Sequence, residues 1–104
     1  MPITSITSSN GFQSAIRSGN LVVIDFVATW CGPCRMLAPK LEAMVTKYPT
    51  VRFCKVDVDA LDDVASSQGV TAMPTVVLYK NGREVARIVG VDVAKIEAAI
   101  AKHK

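Results

Sequence analysis

Cysteine, histidine and long apolar runs are all scarce in this chain. Its 104 residues hold three cysteines, one histidine and one tryptophan. An odd, low cysteine count argues against a secreted disulfide framework. No apolar run approaches the ~18 residues of a membrane span. The first residues, Met1-Pro2-Ile3-Thr4-Ser5, carry neither a basic stretch ahead of an apolar run nor an Arg-rich amphipathic pattern. No basic block exceeds two residues, so the net charge of +3 is spread over a mixed surface and leaves no nucleic-acid footprint. Internal repeats, linkers and low-complexity segments are absent as well. These absences point to a soluble, cytoplasmic protein that binds neither nucleic acid nor membrane.

What is present is apolar residues in quantity: half of the chain is hydrophobic. A chain of this size buries roughly 65% of its unfolded surface, enough for one core, so residues 1–104 are expected to form a single domain. Residues 3–6 read as a short strand. Ser8 or Ser9 caps a short helix with Phe12 and Ile16 on one face and Gly19 as its stop. Leu21 to Ala28 is apolar except for Asp25, the pattern of a strand buried on both faces. From Cys31 to about Tyr48, the residues Cys34, Leu37, Leu41, Met44, Val45 and Tyr48 recur at helical spacing, with Pro33 in the first turn and Pro39 inside. Val51 to Val58 reads as a second buried strand and 60–68 as a short helix ending at Gly69. Thr75 to Tyr79 and Glu84 to Val89 flank Asn81-Gly82, a strong hairpin signal. Ile96, Ala99 and Ile100 give one face to a last helix, about 93–102. This order predicts an α/β fold: a central mixed sheet, parallel in part, with an antiparallel edge hairpin and helices on both faces.

The chemistry concentrates in Asp25-Phe26-Val27-Ala28-Thr29-Trp30-Cys31-Gly32-Pro33-Cys34. Cys31 follows a strand-to-helix turn, where unpaired N–H groups and the helix dipole favour an anion. A thiol of pKa ~8.5 is about 3% thiolate at pH 7, and lowering that pKa by about one unit makes it roughly 25%. Cys34 returns to the same face one turn on, within disulfide reach. The loop so closed is tiny, worth only about 2 kcal/mol as a staple, and suits cycling by thiol–disulfide exchange. A zinc half-site is the competing reading, but only Cys54 and His103 remain as further Cys or His ligands, one in mid-strand and one in the tail. Two inert buried thiols are the other. Cys54 itself reads as a small buried hydrophobe. Asp25, an acid inside an apolar strand, should have a raised pKa. It is either a general base for Cys34 or half of a plain buried ion pair with Lys55. Trp30 is either a core aromatic or, beside a reactive thiol, part of a docking surface. The Met73-Pro74 bond, judged locally, should be trans.

Trp30-Cys31-Gly32-Pro33-Cys34-Arg35 resembles the active-site signature of the thioredoxin family, and Asp25-Phe26 fits upstream. Lys55-Val56-Asp57-Val58-Asp59, Met73-Pro74-Thr75, Lys80-Asn81-Gly82 and Val89-Gly90 lie at family-like spacing, so the resemblance covers essentially the whole chain. It implies a thioredoxin fold and a protein-disulfide reductase with Cys31 as nucleophile and Cys34 as resolving thiol. It favours Asp25 as catalytic base, with Lys55 as a nearby tuning charge. It makes Pro74 a cis-proline facing the dithiol, against the local preference. It places Trp30, Gly32, Pro33, Met73, Pro74, Gly90 and Val91 in a substrate-docking patch that adds an extended peptide as a strand. It further implies a monomer with no bound metal or cofactor, recharged by thioredoxin reductase, with NADPH used only there. Peroxiredoxin, ribonucleotide reductase and methionine sulfoxide reductase are the implied targets. The alternatives are a thioredoxin-fold binding or chaperone-like subunit with incidental redox activity, and a disulfide oxidant or isomerase.

Overall fold

The computed structural model describes residues 3–104. Its elements run β1 (Thr4–Ser5), α1 (Ser9–Ile16), β2 (Val22–Val27), α2 (Gly32–Lys47), β3 (Arg52–Asp57), α3 (Asp62–Ser67), β4 (Thr75–Lys80), β5 (Arg83–Val89) and α4 (Val93–His103). The five strands form one sheet in the order β1-β3-β2-β4-β5. β1, β3 and β2 are parallel, while β4 and β5 join antiparallel. The expected order of elements is thus observed; β1 to α3 are shorter than expected, whereas β4, β5 and α4 each run one residue longer. The first strand shrinks to two exposed residues at the sheet edge. The first helix ends at Ile16, short of Gly19.

Side-chain alternation along β2 divides the core in two. Val22, Ile24 and Phe26 pack with Phe12, Ala15 and Ile16 of α1 and with Val64 and Ala65 of α3. Val23 packs on the opposite face with Leu37, Leu41 and Met44 of α2 and with Ile96 and Ile100 of α4. A central strand covered on both faces needs apolar residues at successive positions, which explains the unbroken run. Asp25 falls on the α2 face and is buried there.

The hairpin turn is built as its sequence requires. Asn81 (φ 54°) and Gly82 (φ 82°) both take left-handed backbone, the geometry that matches the twist of the flanking strands. The Gly82 N–H donates to the Ile16 carbonyl at 2.8 Å, which ties the turn to the end of α1. A short loop between β2 and α2 then sets the site: strand, turn and helix bring residues 25 to 34 to one end of the sheet.

Candidate active site

Cys31 is the N-cap of α2, with extended backbone, and Pro33 sits in the first turn. The Cys31 Sγ accepts the Cys34 backbone N–H at 3.1 Å, so the sulfur occupies the place of an N-capping oxygen. Cys31 and Cys34 are joined as a disulfide with Cα atoms 5.3 Å apart. In this oxidised state both cysteines are nearly buried, at 4% and 5% exposure. Close by in the chain, Trp30 and Met36 are each 66% exposed. The core reading of Trp30 is therefore wrong. Its indole N–H donates to Asp59 Oδ2 at 2.9 Å, which anchors one edge of the ring while leaving its area to solvent.

Asp25 is 4% exposed, and its Oδ1 has no hydrogen-bond partner. Burial pushes its carboxyl up to about 7, and the positive charge of Lys55 opposes that rise without cancelling it. Lys55 lies directly across the β2/β3 ladder from Asp25, but no ion pair joins the two, so the plain buried-pair reading fails. Asp25, Cys34, Ala38, Glu42 and Lys55 help line an open cavity of about 180 Å³. The acid, the second sulfur and a route to solvent thus share one space.

Met73–Pro74 is a cis peptide, as the resemblance implied and against the local preference for trans. That preference is worth only about 0.5–1 kcal/mol, small enough for tertiary packing to override. Pro74 is buried, Met73 half-buried and Thr71 and Ala72 exposed. The Thr75 hydroxyl donates to the Ala72 carbonyl at 2.5 Å, and the Gly90 N–H donates to the Pro74 carbonyl at 2.8 Å. The segments around Met73 and Gly90 are thereby joined, with Val91 exposed beyond them. Pro33 is exposed and Gly32 partly so.

Cys54 is free and buried in β3, and burial pushes its thiol up despite nearby Arg52. His103 ends α4, far along the chain from the cysteine pair. Among the described residues no group of three or more Cys, His, Asp or Glu is placed to hold a metal ion, and no helix is long and apolar enough to cross a membrane.

Two residues escaped the sequence. Met36 lies one position off the buried stripe Cys34, Leu37, Leu41, and an apolar residue off its helix's core face is a legible sign of a contact surface. Asp59 carried no such sign, because its partner is 29 residues away.

A disulfide at a helix start, with a buried acid sharing a cavity with its second sulfur, is the arrangement of a thiol–disulfide oxidoreductase. The Thioredoxin family model matches residues 3–102. Thioredoxin-1 of Saccharomyces cerevisiae is 52% identical over 101 residues, which cover 97% of this chain and 98% of that protein. Among solved structures, Fasciola hepatica thioredoxin superimposes with a TM-score of 0.94 at 42% identity, covering 98% and 100% of the two chains. A chain from work on thiol resolving in yeast mitochondrial 1-Cys peroxiredoxin via glutathione/thioredoxin systems matches with a TM-score of 0.92 at 43% identity, covering 96% and 94%. The chain belongs to the thioredoxin family and is a dithiol–disulfide oxidoreductase whose working group is the Cys31–Cys34 pair.

Proposed function

We propose that this chain acts as one thioredoxin domain, a monomeric cytoplasmic protein-disulfide reductase, with the following division of labour. The Cys31 thiolate, favoured by the start of α2, attacks one sulfur of a target disulfide. A mixed disulfide forms and the other target sulfur leaves as a thiolate. Asp25, ionised in about half the molecules near pH 7, takes the proton of Cys34. The Cys34 thiolate then attacks Cys31 Sγ and expels the second target sulfur. The target gains two electrons and ends as a dithiol, while Cys31 and Cys34 end as the disulfide. Lys55 holds the Asp25 carboxyl below where burial alone would put it.

Trp30, Gly32, Pro33, Met73, Gly90 and Val91 serve as the docking patch, with Pro74 beside the dithiol. An extended target segment pairs with the Met73 backbone as an added strand. Thioredoxin reductase restores the dithiol, drawing on NADPH, and the targets are protein disulfides of the kind found in peroxiredoxin, ribonucleotide reductase and methionine sulfoxide reductase. The observation that carries the catalytic assignment is the unpartnered, buried Asp25 oxygen in the cavity shared with Cys34. Such an oxygen costs stability, and proton transfer with Cys34 is the role that this cost would serve.

Insulin reduction coupled to thioredoxin reductase and NADPH tests the assignment. Cys31→Ser should abolish turnover, and Cys34→Ser should accumulate a mixed disulfide with the target. Retention of full biological partner function by Cys31→Ser would instead mark a binding subunit.

A further inference from the structure

α3 is six residues long and closes in a Schellman turn. The Val70 N–H donates to the Ala65 carbonyl at 2.9 Å and the Gly69 N–H to the Ser66 carbonyl at 3.0 Å, with Gly69 at φ 68°. Neither bond uses the carbonyls of Gln68 and Gly69. Both are met from β5 by Arg87, whose Nη2 donates to Gln68 at 2.6 Å and whose Nη1 donates to Gly69 at 3.4 Å.

Glu84 fixes the same guanidinium from its other side, accepting from Nε at 3.0 Å and from Nη2 at 2.8 Å. This two-point grip orients a planar fork as a lysine cannot. It also holds the Glu84 carboxyl below its usual range, against a smaller opposing effect of burial. A second strand grips Gln68 independently. The Tyr79 hydroxyl donates to Gln68 Oε1 at 2.7 Å, and the Tyr79 ring stands edge-on to Phe12 with centroids 5.7 Å apart.

Gln68 and Gly69 are where the chain leaves α3 for Met73 and Pro74. The far end of that loop is tied by Thr75 to Ala72 and by Gly90 to Pro74. Between the ties, Val70 and Met73 rest partly on the core. Without the grip at Gln68 and Gly69, the near end of the loop keeps only the helix-closing bonds to Ala65 and Ser66 and the partial packing of Val70.

We propose that the Glu84–Arg87 pair, with Tyr79, is a positioning clamp that presets the Val70–Met73 loop, so that the Met73 backbone meets an incoming peptide already in register. This rests on the reading of Met73 as a substrate-binding residue. Strand addition needs a donor and acceptor at a fixed place and angle, and a backbone left free must be ordered at the moment of binding, which weakens binding of extended targets. A small disulfide that pairs with no strand escapes that cost. The clamp therefore sets preference for protein over small-molecule disulfides without touching the sulfur chemistry.

The test compares Arg87→Met, Arg87→Lys and Tyr79→Phe with wild type on two substrates. These are insulin in the reductase-coupled assay and 5,5′-dithiobis(2-nitrobenzoate) with the reduced protein. For Arg87→Met, KM for insulin should rise roughly fivefold with kcat and the small-disulfide rate unchanged to within about twofold. Arg87→Lys should recover part of the KM, and amide exchange at Val70–Met73 should speed up. Tyr79→Phe keeps the buried ring and should shift KM the same way by less, which preserves the test should Arg87→Met fold poorly. Parallel losses on both substrates, or an unchanged KM in both Arg87→Met and Tyr79→Phe, overturn the clamp. A control separates the underlying reading: Cys34→Ser trapped with a cysteine-containing peptide should protect the Met73 amide. Absence of that protection removes reading and clamp together, whereas protection with an unchanged KM removes the clamp alone.

Discussion

Replacing Asp25 with asparagine should make the oxidised protein more stable at neutral pH, by an amount that grows with pH. Burial lifts the folded-state carboxyl from an ordinary 3.8 to about 7, so between those values the unfolded chain is ionised and the folded one is still protonated. The folded state then binds the extra proton. Wild-type stability must fall across this interval by about 1.4 kcal/mol per pH unit and level off above the folded value. The full interval corresponds to about 4 kcal/mol held against the charged form. Asparagine removes that term but buries an amide with incomplete partners, a pH-independent cost of about 1–3 kcal/mol. The net gain expected above pH 7.5 is therefore about 1–3 kcal/mol, turning neutral or negative near pH 4.5. Guanidinium denaturation of the oxidised wild type and Asp25→Asn at several pH values between 4.5 and 8.5 reads the difference directly. Oxidation removes titration of Cys31 and Cys34, and the remaining groups cancel between the two proteins. A stability difference that stays constant over this range would refute the raised carboxyl and, with it, the case for Asp25 as a proton acceptor. The same variant should reduce insulin more slowly, through the step in which Cys34 attacks.

Cys54 in the native oxidised protein should resist iodoacetamide at pH 7.5 and react fully once unfolded, because burial both shields its thiol and pushes its pKa up; rapid native labelling would contradict this. Gly82→Ala should cost about 1–2 kcal/mol, read as a lower denaturant midpoint at unchanged m-value. A Cβ at Gly82 meets Arg17 Cγ at 3.1 Å as well as the left-handed backbone; adding Arg17→Ala should recover only a minor part, since the Arg17 side chain is flexible and the backbone is not. Met36→Ser should leave stability within about 0.5 kcal/mol yet raise KM for insulin, because an exposed apolar side chain two residues past Cys34 offers contact area to a target; an unchanged KM would remove Met36 from the docking surface.

Much of the fold was legible because its determinants are local. An apolar run marks β2 as a central strand, and Asn81-Gly82 marks a turn that needs left-handed backbone at both positions. The Cys-Gly-Pro-Cys spacing at a strand-to-helix junction places one sulfur at the helix cap and the other within reach of it. Each of these is decided by a few consecutive residues and by periodicities of two or 3.6, so no distant partner is required.

Other features depended on contacts that sequence proximity does not encode. The isomer at Met73–Pro74, the exposure of Trp30 and the bond from Trp30 to Asp59 each hang on small local energy differences settled by residues far along the chain. Asp25 shows the division most clearly. Its position in an apolar strand already implied a raised carboxyl, but whether Lys55 paired with it was left open. Only the packed sheet, with α2 laid over it, leaves that oxygen without a partner and opens a cavity shared with Cys34. The chain by itself determined which groups carry the chemistry, since their spacing is covalent. The tertiary structure decided the electrostatics around them, since a buried charge answers to every neighbour that excludes water, wherever it lies in the sequence.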